Sequence, residues 1–257
     1  MSTDERTIHW YNNNAASYTS HVRNKDDSTY HSLYEKPAMY SLLPNLQGKK
    51  VLSLGCGSGE DCVYLKSQGA AEVIGIDISE KLIKIATESY SHCEFRVMDM
   101  ERLDFADTSF DFVYSSLAIH YIEDWHRVFQ EVYRVLKPNG YFLFSCNHPV
   151  ANALELVDDD GDIRTTQLSR TRTKSNNTVK IVGDYMTRHP LYSYVNMQVT
   201  TWHKPIGEIT QEAFDEGFLI ATIKEPRPNN KMKDISNIDY QTLNKIPFFI
   251  IFKLFKP

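Results

Sequence analysis

Val51-Leu52-Ser53-Leu54-Gly55-Cys56-Gly57-Ser58-Gly59-Glu60 decides how this chain is read. A short apolar run ends in three glycines at alternate positions, and a helical pattern starts immediately after. An apolar run bounded by glycine is the signature of a buried parallel strand. The glycines let the backbone turn sharply and let a ligand approach where a Cβ would clash. The helix that follows presents free N–H groups and the positive end of its dipole. Together these features describe a loop for a nucleotide-type cofactor. The spacing differs from the G-x-G-x-x-G of dinucleotide loops, because the glycines stand at 55, 57 and 59.

Downstream of the loop the pattern repeats. Val73-Ile74-Gly75-Ile76-Asp77 reads as a second buried strand closing on an acid, 18 residues after Gly59. A carboxylate there can accept from both ribose hydroxyls. Glu94–Met100 reads as a third strand ending in Asp99-Met100, Ser109–Ser115 as a fourth and Leu136–Phe144 as a fifth. Helical patterns fill 60–68 and 79–90, the second capped by Ser79. Strands alternating with helices predict a parallel sheet covered on both faces. Ligands of such sheets bind outside the carboxyl ends of the strands, where Gly55–Gly59, Asp77-Ile78, Asp99-Met100 and Ser115–Leu117 all fall.

The segments "VLSLGCGSG", "VIGIDIS", "VMDM", "FDFVYSSLAIHYIED" and "VLKPNGYFLFS" occur in that order between about residues 48 and 148. The chain resembles the class I S-adenosylmethionine (SAM) dependent methyltransferases, and among them the small-molecule enzymes of the ubiquinone-biosynthesis-like group. The resemblance implies a three-layer α/β/α, Rossmann-like fold with a seven-stranded, mostly parallel sheet whose last strand is antiparallel. It also implies SAM as cofactor, S-adenosylhomocysteine (SAH) as product, and methyl transfer by in-line displacement to a small-molecule acceptor. The cofactor residues it implies are Gly55, Cys56, Gly57, Gly59, Asp77, Ile78, Asp99, Met100, Ser115 and Leu117. In one respect the chain departs from the family. Where its relatives carry an acid that helps hold the cofactor's amino group, this chain has Ser53.

Composition narrows the field further. The 257 residues, 42% hydrophobic and 24% charged, are those of an ordinary globule with ample chain for a core. A net charge of −5 lacks the basic face that nucleic acid demands. The four cysteines show no C-x-x-C pair and no finger spacing, so no metal site is expected. No run approaches membrane length and the N-terminus shows no signal-peptide core, so the chain reads as reduced and cytoplasmic.

Four regions follow: an N-terminal arm (1–47), the SAM-binding core (48–149), a β-rich cap (150–205), and a helix with terminal strands (206–257). The arm is polar but carries Trp10, Tyr11, Tyr18 and Tyr30. It is either pinned to the surface by those rings or laid over the cleft as a lid. Tyr18, together with His31 and Tyr34 on one helical face, becomes a candidate for the substrate pocket. His120 follows the fourth strand, beside the expected methyl group, and is the candidate general base; the alternative is a histidine that only shapes the pocket. Tyr121 and His148 join it as pocket candidates.

In the cap, Leu156–Ile163 reads as a hairpin through Asp160-Gly161, without the alternation of a calcium loop. Arg164, Arg170, Arg172, Lys174 and Lys180 read as a solvated β-region. Tyr185, Tyr192, Tyr194, Trp202 and His203 are candidate pocket walls. Ile206–Glu216 reads as a helix stopped by Gly217, and 226–246 as a long polar loop. Three other readings of the same residues are a tRNA-modifying methyltransferase, a nicotinamide oxidoreductase, against which the glycine spacing speaks, and a non-catalytic SAM-binding protein. The oligomeric state is left open.

Overall fold

A computed structural model describes residues 3–158, 164–167, 169–173, 178–194 and 197–257. The chain begins with helix α1 (Glu5–Arg23), capped by the Asp4 side chain accepting from Thr7 N. A π-helical turn, Tyr30–Glu35, runs straight into α2 (Lys36–Tyr40). Pro37 stands at the start of α2, directly after the widened turn. The core then alternates: β1 (Lys50–Leu54), α3 (Glu60–Ser67), β2 (Glu72–Asp77), α4 (Glu80–Ser89), β3 (Glu94–Val97) and β4 (Phe110–Ser115). Next come a 3-10 turn (Ile119–Tyr121), α5 (Trp125–Val135), β5 (Leu136–Asn147) and α6 (Pro149–Asn152).

Six short strands make up the cap region: β6 (Glu155–Asp158), β7 (Arg164–Gln167), β8 (Ser169–Thr173), β9 (Thr178–Val182), β10 (His189–Tyr194) and β11 (Met197–His203). They pair as three antiparallel hairpins. The expected hairpin around Asp160-Gly161 has its flanking strands in β6 and β7. Its turn, 159–163, and Lys174 lie outside the described residues, as do the side chains of Arg164, Arg170, Arg172, Lys180 and Tyr194. The chain closes with α7 (Ile206–Asp215), β12 (Leu219–Lys224), α8 (Lys231–Ile235), α9 (Asn237–Leu243) and β13 (Phe249–Phe255).

The main sheet has seven strands in the order β12-β13-β5-β4-β1-β2-β3. β1 through β5 are mutually parallel, and β13 runs antiparallel to both β5 and β12. Side chains alternate across it. Leu52, Leu54, Ile74 and Ile76 pack with Trp125 and Phe129 of α5 on one face. Val51, Val73 and Phe112 pack with Leu65 of α3 and Met39 of α2 on the other. The result is three layers, as expected. The strand order reverses between β1 and β4, which opens a crevice at the carboxyl ends of these strands.

Several details differ from the sequence reading. The N-terminal arm is a 19-residue helix packed on α4 and β11. Its Asn12 side chain accepts from Ser79 Oγ (2.8 Å) and Lys81 N (3.2 Å), tying it to the start of α4. The Pro138-Asn139-Gly140 turn is a bulge inside β5, with Asn139 at φ 64° and the register to β4 shifting between Phe110 and Phe112. Residues 226–246 contain α8 and α9 rather than a plain loop. Met232 and Leu243 from these helices close over Tyr34 in a small satellite core.

Candidate active site

The glycine loop takes its shape from β2. Asp77, at the end of that strand, accepts from Gly57 N through Oδ2 and from Ser79 N through Oδ1, both at 2.9 Å. Burial pushes the Asp77 carboxyl above its usual range, and these backbone donors pull it back only in part. Each oxygen keeps a second lone pair for a ligand. Gly55, Gly57 and Gly59 all have positive φ. Only Gly55 and Gly57 line the crevice. A Cβ on Gly59 would point instead at the Phe95 ring, 2.8 Å away, so this glycine serves the turn and its packing rather than the ligand.

Around the loop lies a first lobe formed by Asp77, Ile78, Met98, Asp99, Met100 and Leu117. The half-buried Asp99 accepts from Glu101 N at 3.0 Å, and burial raises its pKa. Leu117 has φ 50°, an unusual conformation for a branched residue. It is held by its N–H donating to Ser145 Oγ at 3.0 Å. Ser115, expected among the cofactor residues, is fully buried instead. Its Oγ donates to Leu54 O at 3.1 Å and stitches β4 to β1, while the next residue, Ser116, faces the cavity.

A second lobe of about 780 Å³ opens from the first. Its walls are largely apolar, with Trp10 and Val22 from α1 and Phe248 and Phe249 before and within β13. Tyr11, Tyr18 and Tyr121 border both lobes. The Tyr11 and Tyr121 hydroxyls share a hydrogen bond of 2.5 Å, so α1 is fastened across the crevice. The first helix of the arm therefore lies across the crevice.

His120 lines this second lobe and is almost fully buried. Its Nδ1 accepts from Asn147 N at 3.3 Å. Burial holds its pKa down at about 3, with His31 adding to the effect. A neutral imidazole that accepts at Nδ1 carries its proton on Nε2. The ring is thus built to donate a hydrogen bond, and the general-base role expected from its position is corrected on this geometry. His31 also lines the lobe, and burial together with nearby Lys36 lowers its pKa to about 4.

Other pocket candidates lie elsewhere. The wider π-turn takes Tyr34 off the face of His31. Tyr34 is fully buried in the satellite core, and its hydroxyl accepts from Phe248 N. His148 caps α6, with Nδ1 accepting from Val150 N at 3.1 Å and Nε2 3.1 Å from Glu225. Along β11, Val199 and Thr201 face the lobe, so the strand's alternation turns Trp202 away. His203 is buried beneath Tyr185, 2.8 Å from its carbonyl oxygen. Tyr185 itself accepts from Ile206 N, and Tyr192 is 66% exposed. Asp111 accepts from Lys50 N at 2.9 Å and pairs with Lys137, a structural role.

Sequence reasoning missed Tyr11 and the charged group Glu35, Lys36 and Asp61. A signal for the first was present. Thr7, Tyr11, Tyr18 and Val22 recur at spacings of four, seven and four, which is one helical face. Asn12-Asn13-Asn14, poor helix formers, masked it.

The residues fit SAM. Asp77 stands where a ribose can be held, Asp99 and Met100 offer an acceptor and a flat apolar contact for adenine, and the left-handed glycine bends leave room for close approach. Comparison with known proteins agrees. Residues 52–144 match the family model described as "Methyltransferase domain". Residues 52–144 carry a methyltransferase domain. The chain superposes on a SAM-dependent methyltransferase from Mesorhizobium loti with a TM-score of 0.74 at 26% identity, covering 90% of this chain and 99% of that one.

Among curated relatives, phosphoethanolamine N-methyltransferase 3 of Arabidopsis thaliana is 35% identical over 40% of this chain and 22% of its own length. Malonyl-[acyl-carrier protein] O-methyltransferase of Pectobacterium atrosepticum is 31% identical over 42% of each chain. The chain spans half or less of the length of the curated relatives it matches. Among the described residues, no helix is long and apolar enough to cross a membrane, and no group of three or more His, Cys, Asp or Glu is placed to hold a metal.

Proposed function

We propose that this protein transfers a methyl group from SAM to a small-molecule acceptor bound in the second lobe. The observation that carries the reading is the continuity of the two lobes across Gly55, Gly57, Leu117 and Tyr121. A nucleotide-type site at the strand ends thus opens directly into a mostly apolar chamber. SAM bound in the first lobe supplies the activated methyl. The chain's own contribution is alignment, which can supply roughly 7–11 kcal/mol of a bimolecular barrier.

Trp10, Val22, Phe248 and Phe249 favour an acceptor with an apolar or aromatic body. The Nε2–H of His120 then orients the acceptor's nucleophilic oxygen or nitrogen by donating to it. Closure of α1 through Tyr11 and Tyr121 keeps water out of the reacting pair. Relatives that act on phosphoethanolamine and on malonyl-acyl carrier protein support a small or carrier-borne acceptor rather than a nucleic acid. The net charge of −5 points the same way.

The test is methyl transfer from methyl-labelled SAM across a panel of phenols, carboxylic acids, amines and acyl thioesters. The reading expects label in at least one class, with SAH formed in equal amount. Tight SAH binding with no transfer to any class would favour a SAM-binding protein without catalysis.

A further inference from the structure

Ser53 is buried and uncharged, so β1 itself brings no charge to the glycine loop. Charge is nevertheless present beside the glycine loop, and it comes from outside the sheet. Glu35 ends the π-turn, Lys36 opens α2 and Asp61 lies in the first turn of α3. Lys36 Nζ is ion-paired with Asp61 Oδ2, donates to Ser116 Oγ at 2.8 Å and lies 3.8 Å from Glu35 Oε2. Tyr40 donates to Asp61 Oδ1 at 2.8 Å. Glu35 is fully buried. Its Oε1 accepts from Ser116 (2.9 Å) and Ser145 (2.6 Å), whereas Oε2 has no hydrogen-bond partner.

Lys36 and Asp61 line the second lobe beside Gly55 and Gly57, which border both lobes, so a cofactor seated in the first lobe meets them where its amino-acid end passes these glycines. The Lys36 and Asp61 side chains are only 17% and 13% exposed. One lysine set against two carboxylates leaves the cluster a net negative charge when all three are ionised. Burying charge is costly unless something pairs with it, and here one lysine is shared between two acids, lying 3.8 Å from a Glu35 oxygen that has no hydrogen bond. A ligand that brings an ammonium and a carboxylate together would match one lysine beside two acids.

We infer that Lys36 and Asp61, backed by Glu35, receive the amino-acid end of the cofactor, Asp61 accepting from its ammonium and Lys36 donating to its carboxylate. This rests on the SAM reading above. It gives the charged contacts of that end to residues of the N-terminal segment and α3, since Ser53 of β1 carries no charge.

Calorimetry with two probes separates the claims. SAH carries the amino-acid end, and 5′-methylthioadenosine carries the same adenosine and thioether without it. Wild type is expected to bind SAH at least about tenfold more tightly. Asp61→Asn and Lys36→Met should each weaken SAH by about ten- to a hundredfold, the loss of one charge-assisted hydrogen bond, and leave 5′-methylthioadenosine unchanged.

Unchanged SAH affinity in both variants would overturn the inference and hand the cluster to the acceptor. Parallel loss of both probes would overturn it too, because the cluster would then be a structural support. Binding of neither probe by wild type would remove the SAM reading and this inference with it.

Discussion

At Gly55 the backbone turns with φ 62°, and a Cβ there would stand 2.3 Å from the Cβ of Ala118. Ala118 belongs to the turn after β4 and cannot swing aside as a long side chain would. Gly55→Ala should therefore displace that turn and abolish measurable SAH binding, while thermal melting shows a folded protein. Retained binding would mean that the loop is not the cofactor's seat. The residues carrying this argument were legible in the sequence because glycine, Asp77 and Asp99 announce themselves by type and by place at strand ends. Ser115 and Gly59 were misjudged for the same reason. A strand end fixes position to within a residue or two, but not which of two neighbours faces the ligand.

At the level of the element, α1 lies across the crevice, and three of its contacts bear on how it is held there. These are the Tyr11–Tyr121 bond, Asn12 on the start of α4, and Thr7 Oγ1 accepting from Thr200 N at 2.9 Å in β11. Tyr11→Phe removes one hydroxyl from a buried pair and should cost about 1 kcal/mol, roughly fivefold in SAH affinity. A Tyr11→Phe/Tyr121→Phe double variant should lose little more than either single one, because both delete the same bond. Additive losses in calorimetry would show that the two rings act separately. The sheet and its helices were readable from apolar periodicity, but α1 was not. Its stability comes from docking rather than propensity, and a run of three asparagines carries no local helix signal. The π-turn was equally hidden, since only tertiary packing selects that widening.

Over the whole molecule, the pH response should be set by histidines enclosed in the cleft. His120 and His31 titrate at about 3 and about 4 when folded, against an ordinary value near 6.5. The unfolded chain therefore binds protons that the folded one refuses between about pH 6.5 and those values. Stability falls as pH falls through that window, by up to about 1.4 kcal/mol per pH unit for each ring. Glu35 and Asp77, with pKa values raised by burial, act in the opposite sense. Their effect remains when His120→Gln removes one ring, so comparing this variant with wild type isolates the histidine. Its melting temperature should drop less than that of wild type between pH 7 and pH 5. Equal drops would place His120 in contact with solvent.

The central claim is that the crevice at the ends of β1 to β4 is a SAM site, and calorimetric titration of SAH and NAD into wild type and Asp77→Ala tests it most directly. SAH should bind and NAD should not. Asp77→Ala should weaken SAH by about ten- to a hundredfold, since a carboxylate accepting from ribose hydroxyls is worth about 1.5–3 kcal/mol. NAD binding more tightly than SAH, or SAH giving no heat with wild type, would contradict the account.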